Sequence, residues 1–445
     1  MRRIALLATI IVAFSALAPS AGAAEFTTTD VTFQNGGVTL HGTVVAPPGR
    51  RGLPGIVMVH GSGAGPRQDH RVEAEAFARG GVATLIYDKR TEGYSTFTRS
   101  YSTLADDALA AVQALRARPE VDPARVGVWG LSEGGWVAPL AASRSADVAF
   151  VVTVGANGVQ PARQQAWAVE NQLRHLGFSG SLVKMASSTM MRQLVGGGVF
   201  PEARYDPIPV LARLKQPVLG LWGAHDVLTP PAEALRIFQE TLSHNGNQHY
   251  TLRVFPDGQH QLRRTTDGFD KLDGYSPGYL ELVSSWVNGL ASGPPAASAD
   301  APPAQDRQSV ELTPLRWYET TWLQLAVVLL LLIAFAAYPV GALFRRARPG
   351  SPSARWLSTT GLLATLGFFA VNVLIQLSQG KALGPAVLGR PLPWLALQLL
   401  AVAVVISTAG TAIAWWRHRT PRLGLLLAGG VIFIPWAIYW GLLVP

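Results

Sequence analysis

Ser132 lies in Gly130-Leu131-Ser132-Glu133-Gly134, where the β-branched run of Val126 and Val128 gives way to an apolar stretch through Trp136, Leu140 and Ala141 with helical spacing. A serine hydroxyl is a poor nucleophile. The chain must turn sharply to lift Oγ clear of its neighbours, and glycines two residues to either side leave room for that turn. The spacing therefore predicts a nucleophile elbow between a strand and a helix. In a chain with 45 glycines the short pattern is unspecific by itself, so the flanking strand and helix carry the reading.

Such a serine needs a base and an acid, and after an elbow of this kind they follow in the order acid, then histidine. Pro217 to Trp222 reads as a buried strand, and Gly223-Ala224-His225-Asp226 follows it. Tyr250 to Phe255 reads as the next strand, with Pro256-Asp257-Gly258-Gln259-His260 after it. His260 would take the Ser132 proton and return it to the leaving group. Asp226 would fix the imidazole tautomer and stabilise its charged form. Taken singly, an Asp after a strand is more often a turn former or helix cap, and most of the nine histidines are surface or core residues. Asp257 is the rival acid, but on the same short loop as His260 it is better suited to shaping the turn.

Acyl transfer also needs donors aimed at the developing oxyanion. Ile56 to Val59 reads as a strand that ends in His60-Gly61-Ser62-Gly63-Ala64-Gly65. The expected donors are the backbone amides of Ser62 and of Glu133, the residue after the nucleophile. The glycines lack a Walker lysine and the dinucleotide spacing, so a nucleotide loop is a poor reading. His60 is expected to hold the turn, not to act as a second base.

The segment from about Thr39 to Val287 resembles the α/β-hydrolase superfamily, and within it bacterial esterases and acyl-thioesterase-like hydrolases related to the C-terminal domain of bile-acid acyltransferase-type enzymes. The likeness is carried by His60-Gly61-Ser62-Gly63, Tyr87-Asp88-Lys89-Arg90, Gly130 to Gly135 and Phe255 to His260. Those relatives usually place a glycine after Asp-Lys-Arg. Here Thr91 stands there, with Gly93 and Ser95 kept, so the shape of that loop differs. The resemblance implies hydrolysis of carboxylic esters with neither metal nor organic cofactor, on an α/β fold with a mostly parallel sheet.

With 49% hydrophobic residues and a mean hydropathy of +0.22, the 445-residue chain is too apolar for a purely soluble protein. The net charge of +9 is unevenly distributed. Residues 25 to 310 hold 25 Lys and Arg against 26 Asp and Glu, leaving 12 basic residues against 2 acids for the rest. That distribution speaks for membrane topology and against nucleic-acid binding. Arg2-Arg3, an apolar run from Ile4 to Ala18 and Ala21-Gly22-Ala23-Ala24 read as a signal peptide over residues 1–24, an uncleaved anchor being the alternative. The chain has no cysteine, so lipidation at the cleavage site, disulfides and thiolate chemistry are excluded.

A hydrolase domain is thus expected over 25–290. Within it, 158–216 forms a helical cap whose apolar residues, Trp167, Leu173, Leu182, Met185, Met190 and Leu194, would line a flexible binding wall over the site or pack the cap onto the core. Residues 291–319 open with a run rich in Ala, Ser and Pro and read as a semi-extended linker and juxtamembrane segment. Over 320–445, four stretches, Thr320 to Phe344, Trp356 to Gly380, Pro391 to Trp416 and Leu423 to Pro445, are each long enough to span a bilayer and hold no Asp, Glu, Lys, Arg or His. Asn372 and Gln376 are expected to hydrogen-bond between helices. Arg345 to Arg355 holds four arginines and Arg417 to Arg422 three, against Lys381 and Arg390 in the middle loop. By the positive-inside rule the hydrolase domain faces outward, as the signal peptide also requires.

The sequence thus predicts a multi-pass protein of a bacterial cell membrane carrying an extracytoplasmic serine hydrolase, acting on a small-molecule or lipid-like ester. A peptidase or thioesterase with the same three residues is the alternative chemistry. The alternative of another class is a non-catalytic membrane-assembly or lipid-binding module.

Overall fold

The computed structural model describes residues 25–343 and 351–445. The expected signal peptide lies outside them, as does most of the first arginine-rich loop. Among the described residues the central element is a nine-stranded sheet: β1 Thr27–Asn35, β2 Val38–Ala46, β3 Leu53–Val59, β4 Ala83–Tyr87, β5 Val121–Leu131, β6 Val151–Val154, β7 Val218–Gly223, β8 Tyr250–Phe255 and β9 Ser298–Ala299, in spatial order β1-β2-β4-β3-β5-β6-β7-β8-β9. β1, β2 and β4 pair antiparallel, and from β4 to β9 every pairing is parallel. The composition explains the difference. β3, β4 and β6 are buried along their whole length and apolar but for Thr84 and Thr153, as strands covered on both faces must be. β1 is exposed along most of its length and closes the edge.

Helices α1 Arg71–Arg79, α2 Tyr101–Arg116, α3 Gly134–Ala142, α8 Pro231–His244 and α9 Tyr279–Gly289 flank this sheet. Strand alternation divides the core. Val126 and Val128 of β5 join Val57, Trp222 and the apolar faces of α2, α3 and α8. Trp129 and Leu131, one residue out of phase, pack with Ile56, Met58, Val152 and Leu221 against α1 and α9. Each fully buried aliphatic or aromatic side chain contributes about 1.5–3 kcal/mol. The C-terminal ends of β3, β5, β6, β7 and β8 are thereby fixed side by side.

The insertion between β6 and β7 contains α4 Pro161–His175, α5 Ser181–Lys184, a π-helical turn Met185–Thr189, α6 Met190–Gly196 and α7 Ile208–Leu211. Its apolar face corrects the expectation of a binding wall. Leu173, Leu182 and Met185, with Phe178 and Val183, form one cluster with Leu331, Phe335, Leu357, Phe368, Trp394, Trp436 and Trp440 of the C-terminal helices, and Met190 packs at its margin. The face is apolar because it docks on the helix bundle. The polar edge of α4 is what approaches the loops of the site, with Asn171 Nδ2 donating to the Val227 carbonyl at 3.0 Å and His175 stacked on Phe269.

Among the described residues the bundle has four long apolar helices, α10 Thr321–Leu343, α11 Pro352–Ser378, α12 Leu392–His418 and α13 Pro421–Tyr439, each long and apolar enough to cross a membrane. Small residues let them approach: a Cβ on Gly361 would stand 2.6 Å from the Phe335 ring. Asn372 departs from its expected role, since its Nδ2 donates to Phe368 O of its own helix at 2.9 Å. Gln376 is exposed. Interhelical bonds run instead from Ser358 Oγ to Phe335 O at 2.7 Å and from Trp440 Nε1 to Gln324 Oε1 at 3.1 Å.

The expected linker is extended, but it is a strap and not a free tether. It adds β9 to β8, and the Asp300 N–H donates to Leu252 O at 3.0 Å. Farther along, Ser309 N donates to Glu233 Oε1 at 2.7 Å and its hydroxyl to Glu233 Oε2 at 2.6 Å. Extended backbone that meets an open sheet edge and a buried carboxylate satisfies its polar groups there, which composition alone does not reveal.

Candidate active site

Ser132 stands between β5 and α3 with φ of 55°, the left-handed region that a residue with a Cβ enters at a cost of about 1–3 kcal/mol. The turn is held by Ser132 N donating to Val154 O at 3.0 Å and Gly135 N donating to Ser132 O at 2.8 Å. Its glycines are steric necessities. A Cβ on Gly130 would collide with the Gly134 carbonyl, and one on Gly134 with the Val59 carbonyl.

Asp226 and His260 leave β7 and β8 on loops that are tied together, Ala224 N donating to Phe255 O at 2.8 Å and His225 N to Gly258 O at 3.0 Å. His260 Nδ1 lies 2.8 Å from Asp226 Oδ2. A carboxylate only accepts, so Nδ1 carries the proton and Nε2 is left as the basic nitrogen. Asp226 is buried and further held by the amides of Leu228 and Thr229, at 2.8 and 2.9 Å, and by the Thr229 hydroxyl. The end of β6 joins the two halves. Val154 O receives the Ser132 amide, while at Gly155, with φ of 56°, a Cβ would come within 2.8 Å of His260 Nδ1. Asp257 faces Arg264 at 3.6 Å, and its carbonyl receives Thr265 N at 2.9 Å.

The loop after β3 runs beside the elbow, where a Cβ on Gly61 would touch Ser132 Cβ at 3.4 Å. The Gly63 amide is engaged by Tyr94 Oη at 3.0 Å. Among the described residues, the Ser62 and Glu133 amides donate to no protein acceptor. His60 sits beneath this loop with Nε2 donating to the Tyr87 carbonyl at 2.6 Å. Burial, with His70 beside it, lowers its pKa to about 3, so it stays neutral at physiological pH.

The Glu133 side chain has surroundings that reading the sequence missed. It is buried, and its carboxylate receives Lys89 Nζ at 2.6 Å, Tyr94 Oη at 2.8 Å and Arg99 Nη1 at 2.6 Å. Lys89 Nζ also donates to Gly61 O at 2.6 Å. Burial pulls the Lys89 ammonium below its ordinary range while the Glu133 carboxylate opposes that shift. One carboxylate thus ties the elbow to the loops after β3 and β4. The available signal was charge: Lys89 in the Asp-Lys-Arg stretch and a glutamate after the nucleophile are opposite in sign. The neighbouring Arg90 forks onto Asp107 with two bonds of 2.6 Å and anchors the same loop on α2.

The sheet order, with a strained serine, an aspartate and a histidine at neighbouring strand ends, is that of an α/β-hydrolase fold. Residues 99–274 match the prolyl oligopeptidase family. The chain is 28% identical over 248 residues to Esterase EstD of Thermotoga maritima, covering 50% of this chain and 58% of that protein. It is 31% identical over 134 residues to Thiohydrolase aneE of Aspergillus aculeatus, covering 29% of this chain and 40% of that one. It thus spans little more than half the length of the first relative and less of the second. Among solved structures, the thermostable carboxylesterase EstE1, cloned from a metagenomic library, aligns with a TM-score of 0.42 at 19% identity, over 59% of this chain and 88% of that one.

Proposed function

We propose that the protein is a membrane-tethered hydrolase of carboxylic esters, with Ser132 as nucleophile, His260 as base and Asp226 as the acid that orients it. The observation that carries this reading is the 2.8 Å contact between His260 Nδ1 and Asp226 Oδ2 beside a serine held at φ of 55°. Ser132 Oγ attacks the acyl carbonyl as His260 Nε2 takes its proton. The oxyanion is received by the Ser62 and Glu133 amides, the alcohol leaves with the proton, and water activated by His260 releases the acid. The esterase relative supports the ester reading.

The match to the prolyl oligopeptidase family favours a second reading, cleavage of acyl amides by the same residues. On this reading the hydrolase domain lies outside the cytoplasmic membrane. The arginine content of the flanking loops supports this, as does the contact of the middle loop with the cap, where Ser179 N donates to Gly389 O at 2.7 Å. Exposed Trp317, Trp322, Trp356 and Trp416 near the helix ends suit the two interfaces of a bilayer.

The test is reaction of the full chain in detergent with a fluorophosphonate probe, followed by turnover of matched p-nitrophenyl esters, thioesters and aminoacyl p-nitroanilides, each beside Ser132→Ala. Labelling and ester turnover that vanish in the variant are expected. Amides hydrolysed faster than esters would move the assignment to the second reading, and an unlabelled Ser132 in folded protein would refute both.

A further inference from the structure

A cavity of about 500 Å³ opens between the loop after β3, the start of α1 and the loop that follows His260. Its wall includes Gly61 and Ser62, Leu131 immediately before Ser132, and Gln261 immediately after His260. It therefore borders the proposed reaction centre.

The floor is unusual in its chemistry. His70 and Glu73 are only 4% and 5% exposed, and they stand 3.8 Å apart, too far for a hydrogen bond. His70 Nδ1 and Glu73 Oε2 are both buried without a hydrogen-bond partner. A buried carboxylate oxygen that receives no donor is destabilising, and a group bringing N–H donors and positive charge relieves it. No arginine or lysine is paired with it among the described residues. Arg263, on the same wall, lies over the Tyr275 ring at 4.8 Å and donates to the Tyr275 hydroxyl, which is set beside the other Glu73 oxygen, while Lys271 is exposed at the rim. Asp69 and Asp273, also at the rim, add to the negative field at the mouth.

We infer that this cavity seats a protonated amine of the substrate on Glu73 while the scissile carbonyl lies at Ser132. The substrate class is an acyl ester or amide whose acyl group carries an ammonium. The inference rests on the proposed hydrolase reading and narrows it, because a polar floor with an unpaired carboxylate disfavours the long alkyl chains of a lipid.

The decisive comparison is p-nitrophenyl 6-aminohexanoate against p-nitrophenyl heptanoate, equal in chain length, for the full-length protein in detergent and its Glu73→Gln variant. The expected result is a kcat/KM preference of about tenfold or more for the ammonium ester, which the variant loses while heptanoate turnover stays within about twofold. Equal turnover of the two esters by the native protein, or a preference that survives in Glu73→Gln, would overturn it. Should the variant not fold, competition in the native protein decides. Hexylammonium is expected to inhibit heptanoate hydrolysis at about one tenth the concentration of 1-hexanol, and equal potency would refute the site. If the native protein hydrolyses neither ester and Ser132 is unlabelled by phosphonate, the hydrolase reading itself fails. Hexylammonium binding by calorimetry, present or absent, then still decides the cavity.

Discussion

Glu133 would have two unlike functions in the proposed mechanism, since its amide would face the reacting oxygen while its carboxylate anchors two loops from behind. Lys89 is the link whose loss separates them. Lys89→Met removes the bond to Gly61 O and leaves Glu133 with Arg99 and Tyr94, so the loop bearing Ser62 loosens while the elbow persists. The expected outcome is a fall in kcat of about 10–100-fold with little change in KM, and a stability loss of about 3 kcal/mol, measured by steady-state kinetics and denaturant melts. His60 gives a prediction with a sign. Its pKa is about 3 folded against 6.5 as a free side chain. Between those values the unfolded chain binds a proton that the folded chain refuses, so stability falls as pH drops through that window, by up to about 1.4 kcal/mol per pH unit. His60→Gln should flatten the pH dependence by that amount in melts from pH 7 to 4, and a slope equal to the native one would count against a neutral buried imidazole. That Ser132, Asp226 and His260 stand at the ends of strands was legible in sequence, because each follows a strand on a short loop. The partners of Glu133 were not. Lys89 lies 44 residues away, and nothing local in either stretch reports a pairing that only the fold creates.

At the scale of elements, the strands were the easiest to read. β8 coincides with the expected strand Tyr250 to Phe255, and β3 extends the expected strand Ile56 to Val59 by three residues. Burial of β3 on both faces writes itself into consecutive residues. Periodicity also found the apolar face of the cap, yet periodicity states that a face is covered and not by what. Leu173, Leu182 and Met185 carry no mark that distinguishes a substrate from a helix bundle as their neighbour. The strap was legible as extended chain and illegible as a bound one, since its partners Leu252 and Glu233 lie far away in sequence. Releasing it is a direct check. Glu233→Ala removes the acceptors of the Ser309 amide and hydroxyl and of Arg163. Limited proteolysis should then cut within 300–316 at least about tenfold faster than in the native chain, consistent with loss of about 1.5–3 kcal/mol of local hydrogen bonding. An unchanged rate would mean that β9 and the bonds from Arg163 and Arg192 to Ser309, Thr313 and Pro314 hold the segment without Glu233.

For the whole molecule, the absence of cysteine offers a clean test of topology. Gln248→Cys lies on the hydrolase domain and Arg419→Cys in the loop between α12 and α13, and both positions are exposed. In right-side-out vesicles a membrane-impermeant maleimide should label the first and spare the second until the membrane is opened. The reverse pattern would turn the protein over. Because the cap docks on the bundle, residues 25–300 expressed alone would leave the Leu173, Phe178, Leu182 and Met185 face bare, and light scattering should show self-association that detergent reverses.

The same docking has a consequence for biosynthesis. Trp394 Nε1 donates to Ser181 Oγ across 213 residues of chain. At about 5–20 residues per second a ribosome needs roughly 10–40 s to make that interval. Throughout it the cap waits with its apolar side uncovered, and on the proposed topology α12 and α13 enter the bilayer before it closes. Completion of the cap would then be timed by membrane insertion, and a chain whose last helices fail to insert would carry an exposed hydrophobic flag for quality-control proteases to find.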